Sequence, residues 1–134
     1  MLIVEDSDED YYTTARALRA SGVALTLQRC RDGREVIALL ETGLDADLVL
    51  LDLNLPGVDG RELIRAIREH AVFWALPIVV LSTSNHPSDV NLCYRRGVNS
   101  YLVKPVELAT FMSMMTRVAT YWVHVITLRR AEAV

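Results

Sequence analysis

Residues 47–60 read Asp-Leu-Val-Leu-Leu-Asp-Leu-Asn-Leu-Pro-Gly-Val-Asp-Gly, and this stretch decides the fold. Leu48 to Leu51 form a short apolar run that ends in a carboxylate, Asp52, before the chain turns through Pro56-Gly57. A run that short and that apolar, closed by turn residues, is a strand buried on both faces. Asp52 then stands at the C-terminal end of a buried strand, which is where open α/β sheets form their binding crevice.

The same pattern repeats outward from this stretch. Leu2 to Val4 is a short apolar strand that runs into Glu5-Asp6-Ser7-Asp8-Glu9-Asp10. Acids gather where a helix begins because the N-terminal end of its dipole is positive, so Ser7 or Asp8 caps a helix running to about Ala20. Ser21-Gly22 ends it, and Ala24 to Cys30 reads as a second strand. Asp32-Gly33 turns into a helix from Arg34 to about Thr42, with Gly43 as its C-cap. Asp47 to Leu53 is the third strand, and a helix from near Asp59 to about His70 carries Leu63, Ile64 and Ile67 at helical spacing. Pro77 to Leu81 is a fourth strand ending in Ser82-Thr83-Ser84, and a helix from Pro87 closes at Gly97. Ser100 to Lys104 is a fifth strand, followed at once by Pro105. The last segment, from Val106 to about Arg130, reads as one long helix with Leu108, Phe111, Met112, Met115, Ala119, Trp122 and Ile126 facing the core.

Five strands alternating with five helices predict a parallel sheet covered on both faces and joined by right-handed crossovers. The expected fold is a doubly wound (βα)5 domain of flavodoxin-like kind, strand order 2-1-3-4-5. A chain of 134 residues, 51% hydrophobic, fits one domain spanning 1–134. Its net charge of -3 and the absence of a basic run speak against nucleic-acid binding. The N-terminal apolar run is too short for a secretory signal, and Val118 to Leu128 is too short and too polar for a membrane span. Cys30 and Cys93 lack metal-like spacing and read as buried thiols of a reducing compartment, so a cytoplasmic protein is expected. His70, His86 and His124 have no ligand-spaced partners and are assigned no chemistry.

The polar residues at the strand ends converge. Glu5 and Asp6 end the first strand, Asp52 the third, Ser82 the fourth and Lys104 the fifth. In the order 2-1-3-4-5 the first and third strands are neighbours, about 4.8 Å apart, which brings Asp6 beside Asp52. Carboxylates so placed repel unless a cation bridges them, and hard oxygen ligands suit Mg²⁺. An ammonium and a hydroxyl, Lys104 and Ser82, can stabilise a phosphoryl group from the opposite side.

Four motifs in order carry a family resemblance over nearly the whole chain: Val-Glu-Asp at 4–6, Leu-Leu-Asp-Leu-Asn-Leu-Pro-Gly-Val-Asp-Gly at 50–60, Leu-Ser-Thr-Ser at 81–84, and Gly-Val-Asn-Ser-Tyr-Leu-Val-Lys-Pro at 97–105. The sequence resembles a response regulator receiver domain, the phosphoacceptor half of a two-component system. The resemblance implies that Asp52 takes a phosphoryl group from a phosphohistidine on a sensor histidine kinase. It implies Mg²⁺ held by Asp6, Asp52 and the backbone carbonyl of Asn54, with Glu5 acting through water. It further implies that Lys104 pairs with a phosphoryl oxygen, that Ser82 and Tyr101 form the switch, and that the Lys104-Pro105 bond is cis. Asn54 and Ser84 hold positions that, by the same resemblance, influence the lifetime of the phosphoaspartate. Such a protein is a switch rather than a multiple-turnover enzyme. The alternatives are a receiver fragment of a hybrid kinase or transcription factor, and an aspartate-nucleophile phosphatase, which the Asp-x-Asn spacing and the short chain disfavour. Met114, Tyr121, Val125 and Leu128 give the last helix a second apolar face, which points to a homodimer through that helix. The long aromatic helix also resembles stand-alone regulators of phytochrome-type or other sensor kinases.

Overall fold

The computed structural model describes residues 1–129. Its strands are β1 (Leu2–Val4), β2 (Gln28–Cys30), β3 (Val49–Leu51), β4 (Ile78–Ser82) and β5 (Ser100–Val103). They form one parallel sheet in the order β2-β1-β3-β4-β5. The helices between and after them are α1 (Asp8–Ala20), α2 (Gly33–Thr42), α3 (Gly60–Glu69), α4 (Pro87–Arg95) and α5 (Leu108–Thr120). The expected architecture and strand order are both present.

Successive strand residues point to opposite faces, and this splits the core in two. Leu2, Val4, Val49, Leu51, Ile78 and Val80 pack with residues of α2, α3 and α4, including Val36, Ile64 and Cys93. Ile3, Leu50, Val79 and Leu81 pack on the other face with Leu18 of α1 and with Phe111, Met115 and Trp122 of the C-terminal segment. Every β1, β3 and β4 residue is buried, as strands covered on both faces require.

Local chemistry sets the helix starts. The Ser7 hydroxyl accepts from the Asp10 N–H at 3.2 Å, Asp32 from Glu35 at 3.0 Å, and Asp59 from Arg61 at 2.8 Å. Each satisfies an N–H that the first turn leaves unpaired. His86 caps α4, its Nδ1 accepting from the Ser88 N–H at 3.2 Å, so this histidine has a structural use that the sequence did not suggest.

Several local expectations change, and the third strand is Val49–Leu51 rather than Asp47 to Leu53. The second strand is Gln28–Cys30 rather than Ala24 to Cys30, because its neighbour β1 begins at Leu2 and offers the earlier residues no ladder partner. The last helix starts at Leu108, not Val106, and its α-helical part ends at Thr120. A π-helical turn, Tyr121–Val125, follows and is closed by the Ile126 N–H on the Tyr121 carbonyl at 3.2 Å. The β-branched residues Val123, Val125, Ile126 and Thr127 disfavour continuing the α-helix. The expected end at Arg130 lies outside the described residues. Leu108, assigned to the core stripe, is 57% exposed in the first turn, whereas Phe111, Met115, Ala119 and Trp122 are buried as expected. Among the described residues, no helix is long and apolar enough to cross a membrane.

Candidate functional site

The ladder between β1 and β3 sets Val4 opposite Leu51, and the Asp52 N–H continues it by donating to the Val4 carbonyl at 3.2 Å. The next residues on each strand are therefore neighbours. Carboxylate oxygens of Glu5, Asp6 and Asp52 all lie within 4.8 Å of one another. Asp6 is exposed, Asp52 half-buried and Glu5 buried.

Lys104 enters from the end of β5. Its backbone N–H donates to the Ser82 carbonyl at 2.7 Å, one step past the last β4–β5 pair. Its Nζ lies 3.3 Å from Glu5 Oε1, 3.8 Å from Asp52 Oδ2 and 3.9 Å from Asp10 Oδ2. The ammonium thus sits between two of the three clustered acids and is shielded from solvent. Burial first, and then the negative charge of Asp52, push the Glu5 carboxyl up from 4.5 to about 7; Lys104 pulls the other way and only partly offsets this. The recess that Glu5, Asp52 and Lys104 line with apolar strand residues holds about 10 Å³, room for a single water.

The loop after β3 folds back on its own carboxylate: the Asn54 N–H donates to Asp52 Oδ1 at 3.0 Å. This loop is held by Gly60, the first residue of α3, whose N–H donates to the Leu53 carbonyl at 3.1 Å. A Cβ at Gly60 would come within 2.7 Å of Leu53 Cα and 2.9 Å of the Asp52 carbonyl oxygen, so only glycine allows the approach. The peptide between Lys104 and Pro105 is trans, since no cis bond occurs among the described residues, which corrects the expected cis form. The trans form is the intrinsically favoured one, by about 0.5–1 kcal/mol for a bond before proline. Lys104 reaches Glu5 and Asp52 without the cis isomer.

Ser82 and Tyr101 meet through a third residue. The buried Ser82 hydroxyl accepts from the Ser84 N–H at 3.1 Å, and the Tyr101 hydroxyl donates to the Ser84 carbonyl at 2.8 Å. Tyr101 is half-buried and packs on the α2–α4 side of the core. Ser84 in turn donates its hydroxyl to Asp89 Oδ2 at 2.6 Å, and Asp89 Oδ1 takes a guanidinium N–H of Arg61 at 3.0 Å. Arg61 follows Gly60 directly, so side chains link the loop after Asp52 to the segment carrying Ser82. Nothing in the local sequence around Arg61 or Asp89 signals this link, since it depends on α3 and α4 being neighbours.

Arg29, like Arg61 and Asp89, carries no signal in its local sequence. Its Nε and Nη2 both donate to the Glu5 carbonyl at 3.1 Å, and its Nη1 reaches Asp8 Oδ1 at 2.7 Å. Its guanidinium also stacks 4.6 Å above the Tyr11 ring.

A doubly wound sheet with three acids and a lysine at its C-terminal edge defines a phosphoryl-handling regulator more closely than any single motif does. A family model, the response regulator receiver domain, matches residues 1–116, and the chain belongs to this family. It is 35% identical over 137 residues to the response regulator Rcp1 of Synechocystis sp., covering 98% of this chain and 93% of Rcp1. Among solved structures it resembles the Mn²⁺-bound form of Rcp1 with a TM-score of 0.87, 35% identity and 96% of each chain covered. It also resembles phosphorylated RcpA, a cyanobacterial phytochrome response regulator, with a TM-score of 0.88, 34% identity and 95% of each chain covered. Response regulator receiver domains are signalling switches, and the comparisons lend the phosphatase reading no support.

Proposed function

We propose that Asp52 is the phosphoacceptor of this switch and that a sensor histidine kinase is the donor. An Asp52 carboxylate oxygen attacks the phosphorus of a phosphohistidine. The P–N bond breaks as the P–O bond forms, and the released imidazole takes up a proton. The observation that carries this reading is the cluster of Glu5, Asp6 and Asp52 oxygens within 4.8 Å, with the Lys104 ammonium at its inner side.

The cluster fits a divalent cation. Three carboxylates this close repel one another, and the single Lys104 ammonium does not balance them; burial first and the Asp52 charge second hold the Glu5 carboxyl high. All the donors are hard oxygens, the set that suits Mg²⁺ or Mn²⁺. We assign Mg²⁺, with Asp6, Asp52 and the Asn54 carbonyl as ligands and Glu5 acting through water. When bound, the ion neutralises the acids and draws charge from the transferring phosphoryl oxygens. Lys104 exchanges its contact with Asp52 for one with a phosphoryl oxygen, and Ser82 offers its hydroxyl to another. The Ser82 hydroxyl accepts from the Ser84 N–H, so a movement of the Ser82 side chain toward the phosphoryl group strains that bond and the Tyr101 bond to the Ser84 carbonyl beside it. That is how a charge added at Asp52 reaches the surface near β5.

Of the second apolar face, Tyr121 and Val125 are exposed, whereas Met114 and Leu128 are partly buried against the core; the exposed pair, with Val123 between them and Leu108 and Val106 at the other end of the segment, supports pairing of two copies. The phytochrome link stated for RcpA supports a photoreceptor-type or related sensor kinase as the partner. The cytoplasmic location belongs to the same proposal, with Cys30 and Cys93 both free and buried. The packing of α5 on the sheet supports a single receiver domain beyond the matched residues 1–116.

The test is incubation with a small phosphodonor and Mg²⁺, read by intact mass. One phosphoryl group adds to the parent protein and none to Asp52→Asn. An unmodified parent, or equal labelling of the variant, overturns the assignment.

A further inference from the structure

The metal-binding acids depend on a loop that a residue of the neighbouring strand holds in place. Arg29 lies in β2 opposite Ile3 of β1, on the sheet face covered by α1. Its side chain is only 12% exposed and runs up toward the C-terminal edge of the sheet, where the guanidinium divides its donors. Two go to one oxygen, the Glu5 carbonyl, both at 3.1 Å, and a third goes to Asp8 at 2.7 Å. The Tyr11 ring supports the guanidinium from its face at 4.6 Å.

We propose that Arg29 is a positioning residue for the cation site, acting by fixing the Glu5–Asp6 peptide plane. This rests on the metal reading given above. A carbonyl gripped by two N–H groups of a rigid fork cannot rotate freely, and its peptide plane sets the backbone directions from which both the Glu5 and the Asp6 side chains leave. The Glu5 N–H is held as well, donating to the Cys30 carbonyl at 3.0 Å. Both sides of Glu5 are therefore tied to β2 while Asp6 itself stays exposed and free to ligate. A cation near acids would by itself compete with a metal. Asp8 pairs with Arg29 but is shared with Arg31 at 2.8 Å, so it offsets only part of that charge. The geometric effect outweighs the remaining repulsion. Lysine cannot replace it, because one ammonium on a flexible stem cannot chelate the carbonyl and reach Asp8 as a planar fork does.

The experiment titrates Mn²⁺ into the unphosphorylated full chain and reads the free ion by its electron paramagnetic resonance signal. The parent binds one ion, Asp6→Asn loses it, and Arg29→Gln binds about 10-fold more weakly, the loss usual when the support of a metal ligand is removed. Arg29→Lys keeps the charge but not the fork and also binds more weakly than the parent; it decides the matter if Arg29→Gln does not fold. In phosphorylation from a small donor, the half-saturating Mg²⁺ concentration rises while the maximal rate is unchanged, a split that a general loss of stability does not produce. A parent that binds no Mn²⁺ overturns the metal site and this inference with it. A parent that binds while both Arg29 variants match it overturns the role of Arg29 alone. Tighter binding by Arg29→Gln also overturns it, because that is the sign of a purely electrostatic effect.

Discussion

Gly60→Ala places a methyl group against the backbone that carries the phosphoacceptor. Its Cβ would stand 2.7 Å from Leu53 Cα, 2.8 Å from the Leu53 carbonyl oxygen and 2.9 Å from the Asp52 carbonyl oxygen. All three are backbone atoms, so no side chain can swing aside to relieve the clash. Overpacking of this kind costs about 1–3 kcal/mol. For a chain of this size that is a fall in Tm of roughly 4–15 °C, at about 4–5 °C per kcal/mol. Relief requires the first turn of α3 or the 52–53 backbone to move, and either shift displaces the Asp52 carboxylate. Gly22→Ala is the control. Gly22 has φ +76° and nothing within 4 Å of its Cβ, so that variant bears only the left-handed backbone penalty of about 1–2 kcal/mol. Measured well below both melting points, Gly60→Ala accepts phosphate more slowly than the parent and Gly22→Ala matches it. A Gly60→Ala protein with parental Tm and parental rate refutes the tight approach. Equal slowing in both variants shows that stability, not the position of Asp52, sets the rate.

Two further outcomes follow from the charges. In metal-free buffer, the folded protein holds the Glu5 carboxyl at about 7 against an ordinary 4.5, so ionising it opposes folding by about 3 kcal/mol. That opposition is absent below the ordinary value and complete above the raised one. Glu5→Gln removes it, so the stability of the variant relative to the parent grows as pH rises from 4.5 through about 7, as urea unfolding will show; a pH-independent difference refutes the assignment. The Ser84–Asp89–Arg61 chain gives the second. Asp89→Ala frees the Ser84 hydroxyl, which loosens the Ser84 carbonyl that receives the Tyr101 hydroxyl. The Tyr101 ring resonances shift or broaden in NMR spectra of the variant, and unchanged resonances show that Ser84 is held without Asp89.

Much of this protein is legible along the chain because its signals are local. The apolar runs ending in Asp6, Asp52, Ser82 and Lys104 announce buried strands, and Ser7, Asp32 and Asp59 announce helix starts. Period and capping depend on residues a few positions apart, so the sequence by itself determined the element order, the doubly wound sheet and the identity of the clustered acids. The end of the last helix is not legible for the complementary reason: its periodic stripe continues past the point where the α-helix gives way to a wider π-helical turn.

Only the tertiary structure decided which polar atoms meet. Lys104 rests against Glu5, 99 residues away in the chain, and Arg29 grips the Glu5 carbonyl across 24 residues. Ser82 and Tyr101 share Ser84 because β4 and β5 pair in a particular register, with Val80 opposite Tyr101. Hydrogen bonds act over about 3 Å, so one step of register or a small rotation of a helix makes or breaks them. Hydrophobic burial, which tolerates such shifts, is written in the pattern of residue types; the placement of a donor against an acceptor exists only once the sheet and both helical layers are assembled.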